Sequence, residues 1–295
     1  MPWVLLLCRV TYAQELEPRA YSPNPVGVNF VVLGVGHSSG DVLIDPSLPL
    51  TDVNARITAG LVGYGRTFGL FGRSSSIAFV APLVTANVSG SIEEDGRREV
   101  QRRGVGDPRL RLAVNLIGGE ALTPAQFAKR QPAASLGASV VIVPPLGQYD
   151  STRLVNLGSN RWGFKPELGF SQPLGRWYLE MYAGVWLFTE NDAFFGGTRR
   201  QQDPIQTLQA HVSYTVRPQL WFAADATYYR GGQSSINGRS RMDALSNTRV
   251  GFTASLPIGR RQSLKLSWSE GVATRIGGDF TTYAIAWQYT WFDSQ

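Results

Sequence analysis

His211 and Ser213 put a base and a hydroxyl on one face of a single strand, a thin version of a nucleophile–base pair. Same-strand neighbours at this spacing stand roughly 6.6–6.8 Å apart, too far for a direct hydrogen bond unless the rotamers converge. His211 therefore reads better as a polar filler than as a general base, and no enzyme is expected. The other histidine, His37, sits at a loop edge. Glu190, Asp192 and Asp203 offer the oxygen ligands that Ca2+ prefers, but their spacing matches no loop motif, so a solvated loop is the better reading. The single cysteine, Cys8, falls among the first residues and leaves the rest of the chain without a disulfide framework or a thiolate site. No metal and no cofactor are expected.

A row of charges carries more weight. Arg56, Arg109, Arg111, Lys165, Arg217, Arg249 and Lys265 fall, strand by strand, on the same parity as Glu167, Glu180 and Asp225, and His211 joins them. In a dry core each of these charges would need a partner. Lining a wet lumen they need far less compensation, and the basic excess would favour anionic solutes by raising their local concentration. The competing reading is that the charges pair across strands and fill a narrow barrel.

The elements that position this row are strands. The clearest covers residues 283–292, with Tyr283, Ile285, Trp287, Tyr289 and Trp291 on one parity and Ala284, Ala286, Gln288 and Thr290 on the other. Segments of similar kind fall at 26–36, 53–66, 75–90, 107–118, 134–144, 161–171, 176–188, 206–217, 219–229, 247–257, 262–272 and 280–292. Tight turns at 69–73, 172–175, 217–218 and 257–261 alternate with long polar links at 37–52, 91–106, 145–160, 189–205, 230–246 and 273–279. An up-and-down membrane barrel requires this alternation of short and long connections. Thr123-Pro124 has the order of a helix N-cap followed by a proline at the first helical position, so a short helix is expected at 124–129. Opposite the charges lie apolar rows such as Leu110, Leu112, Val114 and Leu116, or Trp177, Leu179, Met181, Ala183, Val185 and Leu187. A soluble sandwich would need a second apolar layer to cover them, and no helices are there to supply it. The expected fold is all-β: a single up-and-down antiparallel transmembrane barrel of about twelve strands, with short periplasmic turns and long extracellular loops. Trp177, Tyr283, Trp287, Tyr289, Trp291 and Phe292 are the membrane-interface aromatics.

Composition agrees. Charged residues make up 17% of the chain, against about 25% in ordinary soluble proteins. No run approaches the roughly 18 apolar residues of a spanning helix. The net charge of +6 comes from scattered arginines with no clustered stripe, so nucleic acid is not an expected partner.

Residues 1–13 resemble an export signal that lacks its charged beginning, with Thr11-Tyr12-Ala13 as the cleavage point. Residues 14–25 then form a proline-rich lead-in. Glu15, Glu17 and Arg19 are candidates for a plug inside the lumen, and the alternative is a frayed terminus. The barrel is expected to cover 26–292, leaving a free tail at 293–295. The arginines of the 91–106 link would grip phosphates of outer-membrane lipid, including lipopolysaccharide, or pair with that link's own carboxylates. The aromatic end of the last strand has the composition read by the barrel-insertion machinery.

Several strings resemble a bacterial outer-membrane family catalogued under the MetA pathway of phenol degradation. They include Glu15-Leu16-Glu17-Pro18-Arg19-Ala20-Tyr21-Ser22, Gly106-Asp107-Pro108-Arg109-Leu110, Pro145-Leu146-Gly147-Gln148-Tyr149-Asp150 and Asn160-Arg161-Trp162. Lys165-Pro166-Glu167-Leu168-Gly169, Gln202-Asp203-Pro204-Ile205 and Asp225-Ala226-Thr227-Tyr228-Tyr229 continue the resemblance. It implies an outer-membrane barrel that transports small solutes, aromatic or otherwise hydrophobic, while the charge row points to anionic ones. Eight strands leave room only for side chains and 16–18 leave a channel. At about twelve, passive or gated passage and a closed structural barrel whose loops bind a partner both stay open.

Overall fold

The computed structural model describes residues 16–43, 50–92 and 96–293. Its strands are β1 (Val28–Leu43), β2 (Leu50–Leu70), β3 (Arg73–Ile92), β4 (Gly96–Val105) and β5 (Arg109–Ile117). After a short helix α1 (Pro124–Phe127) come β6 (Ser135–Val143), β7 (Gly163–Leu174), β8 (Trp177–Phe188), β9 (Asn191–Phe194) and β10 (Thr198–Gln202). The chain ends with β11 (Ile205–Arg217), β12 (Leu220–Gly231), β13 (Ser234–Ile236), β14 (Arg239–Ser240), β15 (Leu245–Pro257), β16 (Gln262–Ala273) and β17 (Gly277–Phe292).

Neighbouring strands pair antiparallel all the way round, and β17 closes the ring on β1, from Val28 opposite Phe292 to Leu43 opposite Gly277. β4 and β5 both pair with β3 and act as one stave, bulged at residues 106–108. Counted so, the barrel has twelve staves. Closure pairs both edges of every stave except along β4, which pairs with β3 alone, and paired edges are what hydrocarbon demands of a β structure. Its outer face exposes large apolar side chains in rows, among them Leu179, Met181 and Leu187 on β8 and Leu208, Val212 and Val216 on β11. Trp177, Tyr283 and Phe292 are half-exposed on that face. Trp287, Tyr289 and Trp291 stack in succession along β17, with centroids 6.3 and 5.8 Å apart. A closed barrel with such a belt belongs in the bacterial outer membrane.

The turn at Phe71-Gly72 is a two-residue hairpin with φ of 50° and 75°, the left-handed pair that matches strand twist. The helix carries its capping box, with the Gln126 amide donating to Thr123 Oγ1 and the Thr123 amide donating to Gln126 Oε1.

Three expectations need correction. The 91–106 link is largely strand, because β4 extends the barrel wall, with Arg97, Glu99, Gln101 and Arg103 exposed on one face and Val100 and Arg102 turned to the cluster around Val155 on the other. The links at 189–205 and 230–246 are not plain loops either, since β9, β10, β13 and β14 form a small sheet of their own outside the barrel. Finally, Asp293 does not hang free. It accepts from Asn29 Nδ2 (2.8 Å) and Arg66 Nη2 (2.7 Å), and its amide donates to Gly27 O (2.9 Å). Residues 1–15, including the export signal and Glu15, lie outside the described residues, as do 294–295.

Candidate functional site

The inner face is built from the parity opposite the apolar rows, and it is not uniform. On β7, β8, β11, β12 and β15 the inward side chains are buried in a continuous polar network. Lys165 Nζ and Glu167 Oε2 pair at 2.5 Å, and Gln209 Nε2 donates to the same carboxylate oxygen at 3.1 Å. His211 Nδ1 donates to Asp225 Oδ1 at 2.7 Å, while Thr253 Oγ1 donates to Asp225 Oδ2 at 2.8 Å. Glu180 accepts from Tyr182 Oη at 2.9 Å. Charges so buried are stable only because each finds partners at this range.

On the other side, formed by β16, β17, β1 and the lower half of β2, the inward residues are small or apolar. They include Gly34, Gly36, Ala59, Ala284 and Ala286. These stay partly accessible although they face inward, and Leu61, opposite Gly34, is 38% exposed. Lys265, opposite Ala286, shares this partly accessible wall, and Arg109, which faces inward on β5 beyond β3, is also partly accessible.

The N-terminal segment runs through the lumen against the polar network. A Cβ on Gly251 would lie 2.5 Å from Leu16 Cδ1, so β15 is bare where the segment begins. The Arg19 amide donates to Glu180 Oε2 (2.8 Å). Its guanidinium donates to Ser213 Oγ (3.1 Å) and Thr215 Oγ1 (2.7 Å) and lies over the rings of Tyr178 and Trp221. Tyr21 is buried, with its hydroxyl 2.6 Å from Ser139 Oγ and donating to Glu167 Oε1 at 2.9 Å. Its ring fits because Gly137 and Gly169 leave a slot, and a Cβ on Gly169 would sit 2.0 Å from Tyr21 Cδ2. Burial, then the Glu167 charge, push the Tyr21 phenol up to about 12. Glu17 is exposed, within range of the Arg111 charge, and Arg111 lies 4.9 Å over the Tyr21 ring. Further down, Ser74 Oγ donates to Asn24 O and Thr67 Oγ1 to Pro25 O.

Most of the expected row is thus brought together inside: Arg109, Arg111, Lys165, Glu167, Glu180, His211, Asp225, Arg249 and Lys265. Arg217 ends β11 at the turn and is exposed there. Arg56 is placed on the outer parity, exposed, between inward Ala55 and Ile57. Alternation along β2 runs unbroken from inward Leu61 and Ala59 to Ile57 and Ala55, so Arg56 faces out, and a loop packs against the inward side chains at that level. His211 and Ser213 do share a face, but the Ser213 hydroxyl accepts from Arg19 and the imidazole is held by Asp225.

That loop, residues 144–162, is what alternation does not reveal. Val155 and Leu157 insert against Val53, Ala55, Ile57 and Phe280. Asp107, in the bulge between β4 and β5, anchors the loop by accepting the amides of Gly147 and Ser159, both at 2.8 Å. Asn156 bridges the amide of Asp150 and the carbonyls of Asp150 and Arg153. Asn191 ties the loop to the small outer sheet through Tyr149 and Ser159. Between loop, outer sheet and barrel wall opens a pocket with about 1000 Å³ of empty space, counting its open mouth. Arg161, Arg200 and Arg249 line it together with Phe188, Tyr229 and Phe280. Of these, only Arg249 stands out by strand parity. Arg161 and Asp107 lie in the strings that resemble a known family, and that was the one signal for them.

Residues 31–288 match the family model described as "Putative MetA-pathway of phenol degradation". The chain belongs to this family. Among solved structures, an outer membrane channel from Pseudomonas putida F1 superposes with a TM-score of 0.81 at 23% identity, covering 94% of this chain and 100% of that one. The transport unit of the Escherichia coli autotransporter AIDA-I gives 0.51 at 11% identity, covering 96% and 94%. The β domain of the Bordetella autotransporter BrkA gives 0.50 at 10% identity, covering 90% and 100%. These likenesses establish the outer-membrane barrel fold. No curated protein sequence matches.

Proposed function

We propose that this barrel is an outer-membrane channel for small solutes, favouring anionic and aromatic or otherwise hydrophobic ones, with the N-terminal segment as its gate. The observation that supports it is the divided inner face. A packed polar network holds residues 16–25 on one side, while a partly accessible wall with Lys265 runs along the other and Arg109 faces the lumen from β5. Passage follows the accessible wall, and release of the segment widens it. The basic residues on that wall concentrate anions. In this reading His211 and Ser213 hold the segment and the network rather than act on a solute, because both are engaged.

Planar-bilayer recording of the purified full chain tests the proposal. Steady or flickering currents with anion selectivity are expected, and Arg109→Glu with Lys265→Glu should shift selectivity toward cations. No current in either orientation, with or without residues 14–25, would overturn it and favour a closed barrel whose outer sheet binds a partner. Contact of lipopolysaccharide phosphates with Arg97 and Arg103, exposed on the outer parity of β4, is part of the proposal. The aromatic end of β17 is its signal to the insertion machinery.

A further inference from the structure

On the outer face of β1 to β4 the residues align in rows, and the rows change character within one step. Val35, Gly60, Leu83 and Val105 stand side by side and are apolar, with Leu83 62% exposed. The next row toward the mouth is His37, Thr58, Thr85 and Arg103, and the one beyond it is Ser39, Arg56, Asn87 and Gln101. Carboxylates first appear in the third polar row, as Asp41 and Glu99. On this side the hydrocarbon ends between the apolar row and the first polar one, because a guanidinium on the lipid face is tolerated only at the interface.

Arg103 and Arg56 therefore stand at headgroup level. Both are exposed, and among the described residues neither has a carboxylate partner. Arg97, higher on β4, differs, since its Nη2 donates to Ser89 Oγ at 2.8 Å. The Cα atoms of Arg56 and Arg103 are ~12 Å apart, two strand spacings across and one row along. Two such long side chains can converge over Thr85 and Asn87 on β3, whose hydroxyl and amide are further donors. A phosphate accepts from all four groups at once.

The wall beneath says what carries the phosphate. Leu83 and Val105 lie one row below Thr85 and Arg103 and face lipid. A free phosphate makes no use of them. An acylated one lays its chains there while its headgroup meets the arginines.

We infer that β2, β3 and β4 form a site for the phosphorylated headgroup of lipopolysaccharide, lipid A, with one phosphate held by Arg56 and Arg103 and acyl chains on Leu83 and Val105. This rests on the lipopolysaccharide contact in the channel reading and deepens it, adding Arg56 and fixing where the phosphate sits.

The test is titration of the detergent-solubilised full chain with lipid A, read by native mass spectrometry as the fraction of chain carrying the lipid. Dephosphorylated lipid A, phosphatidylglycerol and inorganic phosphate are separate probes. Lipid A should bind roughly tenfold or more tightly than either other lipid, and inorganic phosphate at the same concentration should not displace it. Arg56→Gln combined with Arg103→Gln should weaken lipid A by roughly tenfold or more, and each alone several-fold. Arg260→Gln, on a periplasmic turn, should leave it unchanged. All three positions are exposed, so heat-modifiable gel migration should stay that of the folded barrel. Equal binding of dephosphorylated lipid A or phosphatidylglycerol, displacement by inorganic phosphate, or lipid A binding untouched by the double variant overturns the inference. Conductance is recorded on the same preparations. Currents without lipid A binding sink the site and leave the channel standing, whereas lipid A binding without currents does the reverse.

Discussion

Replacing Tyr21 by alanine should free the N-terminal segment from the lumen. Tyr21 is 2% exposed and fills the slot over Gly137 and Gly169. Deleting a buried aromatic side chain costs about 3–5 kcal/mol, which multiplies the ratio of released to docked segment by roughly a hundredfold or more. Glu167 keeps Lys165 and Gln209 as partners, so the wall is not left with an unpaired charge. Tyr21→Phe removes only the hydroxyl and its bonds to Ser139 and Glu167, for about 1–2 kcal/mol. Arg19→Ala loses two charged hydrogen bonds and two ring contacts, but regains the hydration of a guanidinium, leaving about 2 kcal/mol. Open probability in single-channel records should therefore rise in the order wild type, Tyr21→Phe, Tyr21→Ala. Protease cutting within residues 16–25 should rise in the same order. If Tyr21→Ala exposes the segment to protease and the current does not change, the segment is not the gate. If neither changes, its hydrogen bonds do not hold it.

Other outcomes follow from the same contacts. The Tyr21 phenol is neutral when docked and its pKa is raised from 10.0 to about 12, so its contribution to docking is complete below pH 10 and lost as pH rises toward 12. Tyr21→Phe should abolish that part of the alkaline release of the segment, measured by protease access. Asp107→Ala removes the acceptor of two loop amides at 2.8 Å and should make residues 144–162 sensitive to protease while circular dichroism stays that of a barrel. Arg66→Ala breaks an ion pair to Asp293 whose side chains are 48% and 43% exposed, and should change thermal stability by no more than about 1 kcal/mol.

The barrel was readable because its instructions are local. Period-two alternation with turn residues at its ends states strand, face and direction together, as at 283–292, whose aromatic parity does face outward. β2 is harder to read, because its inward parity holds Ala55, Ile57, Ala59 and Leu61 and so looks like an outer row, which leaves Arg56 facing out. On β4 the exposed face carries Arg97, Glu99, Gln101 and Arg103, and so charged a strand reads as a loop. The network around Glu167, Asp225 and His211 was half legible: parity put these residues on one surface, but which charge meets which depends on register between strands far apart in sequence. Tyr21 and the glycines beneath it fit only once β6 and β7 are side by side.

The mouth pocket lay furthest from reach, for a physical reason. Its residues come from a folded-in loop, a small outer sheet and the upper ends of several staves, and no periodicity links such pieces. What holds them is a chain of specific bonds, from Asp107 to Gly147 and Ser159, and from Asn191 to Tyr149. Substitution there costs a loop conformation rather than a strand. The family strings fall on these anchors more than on the membrane-facing rows, whose apolar residues are interchangeable. The barrel thus specifies a container in many equivalent ways, while the anchors specify one mouth. If that is right, exchanging Leu179, Met181 and Leu187 among apolar types should leave solute selectivity unchanged, whereas Asp107→Ala should alter it without touching the bilayer-spanning wall. Equal sensitivity of selectivity to both sets would place recognition in the barrel wall instead.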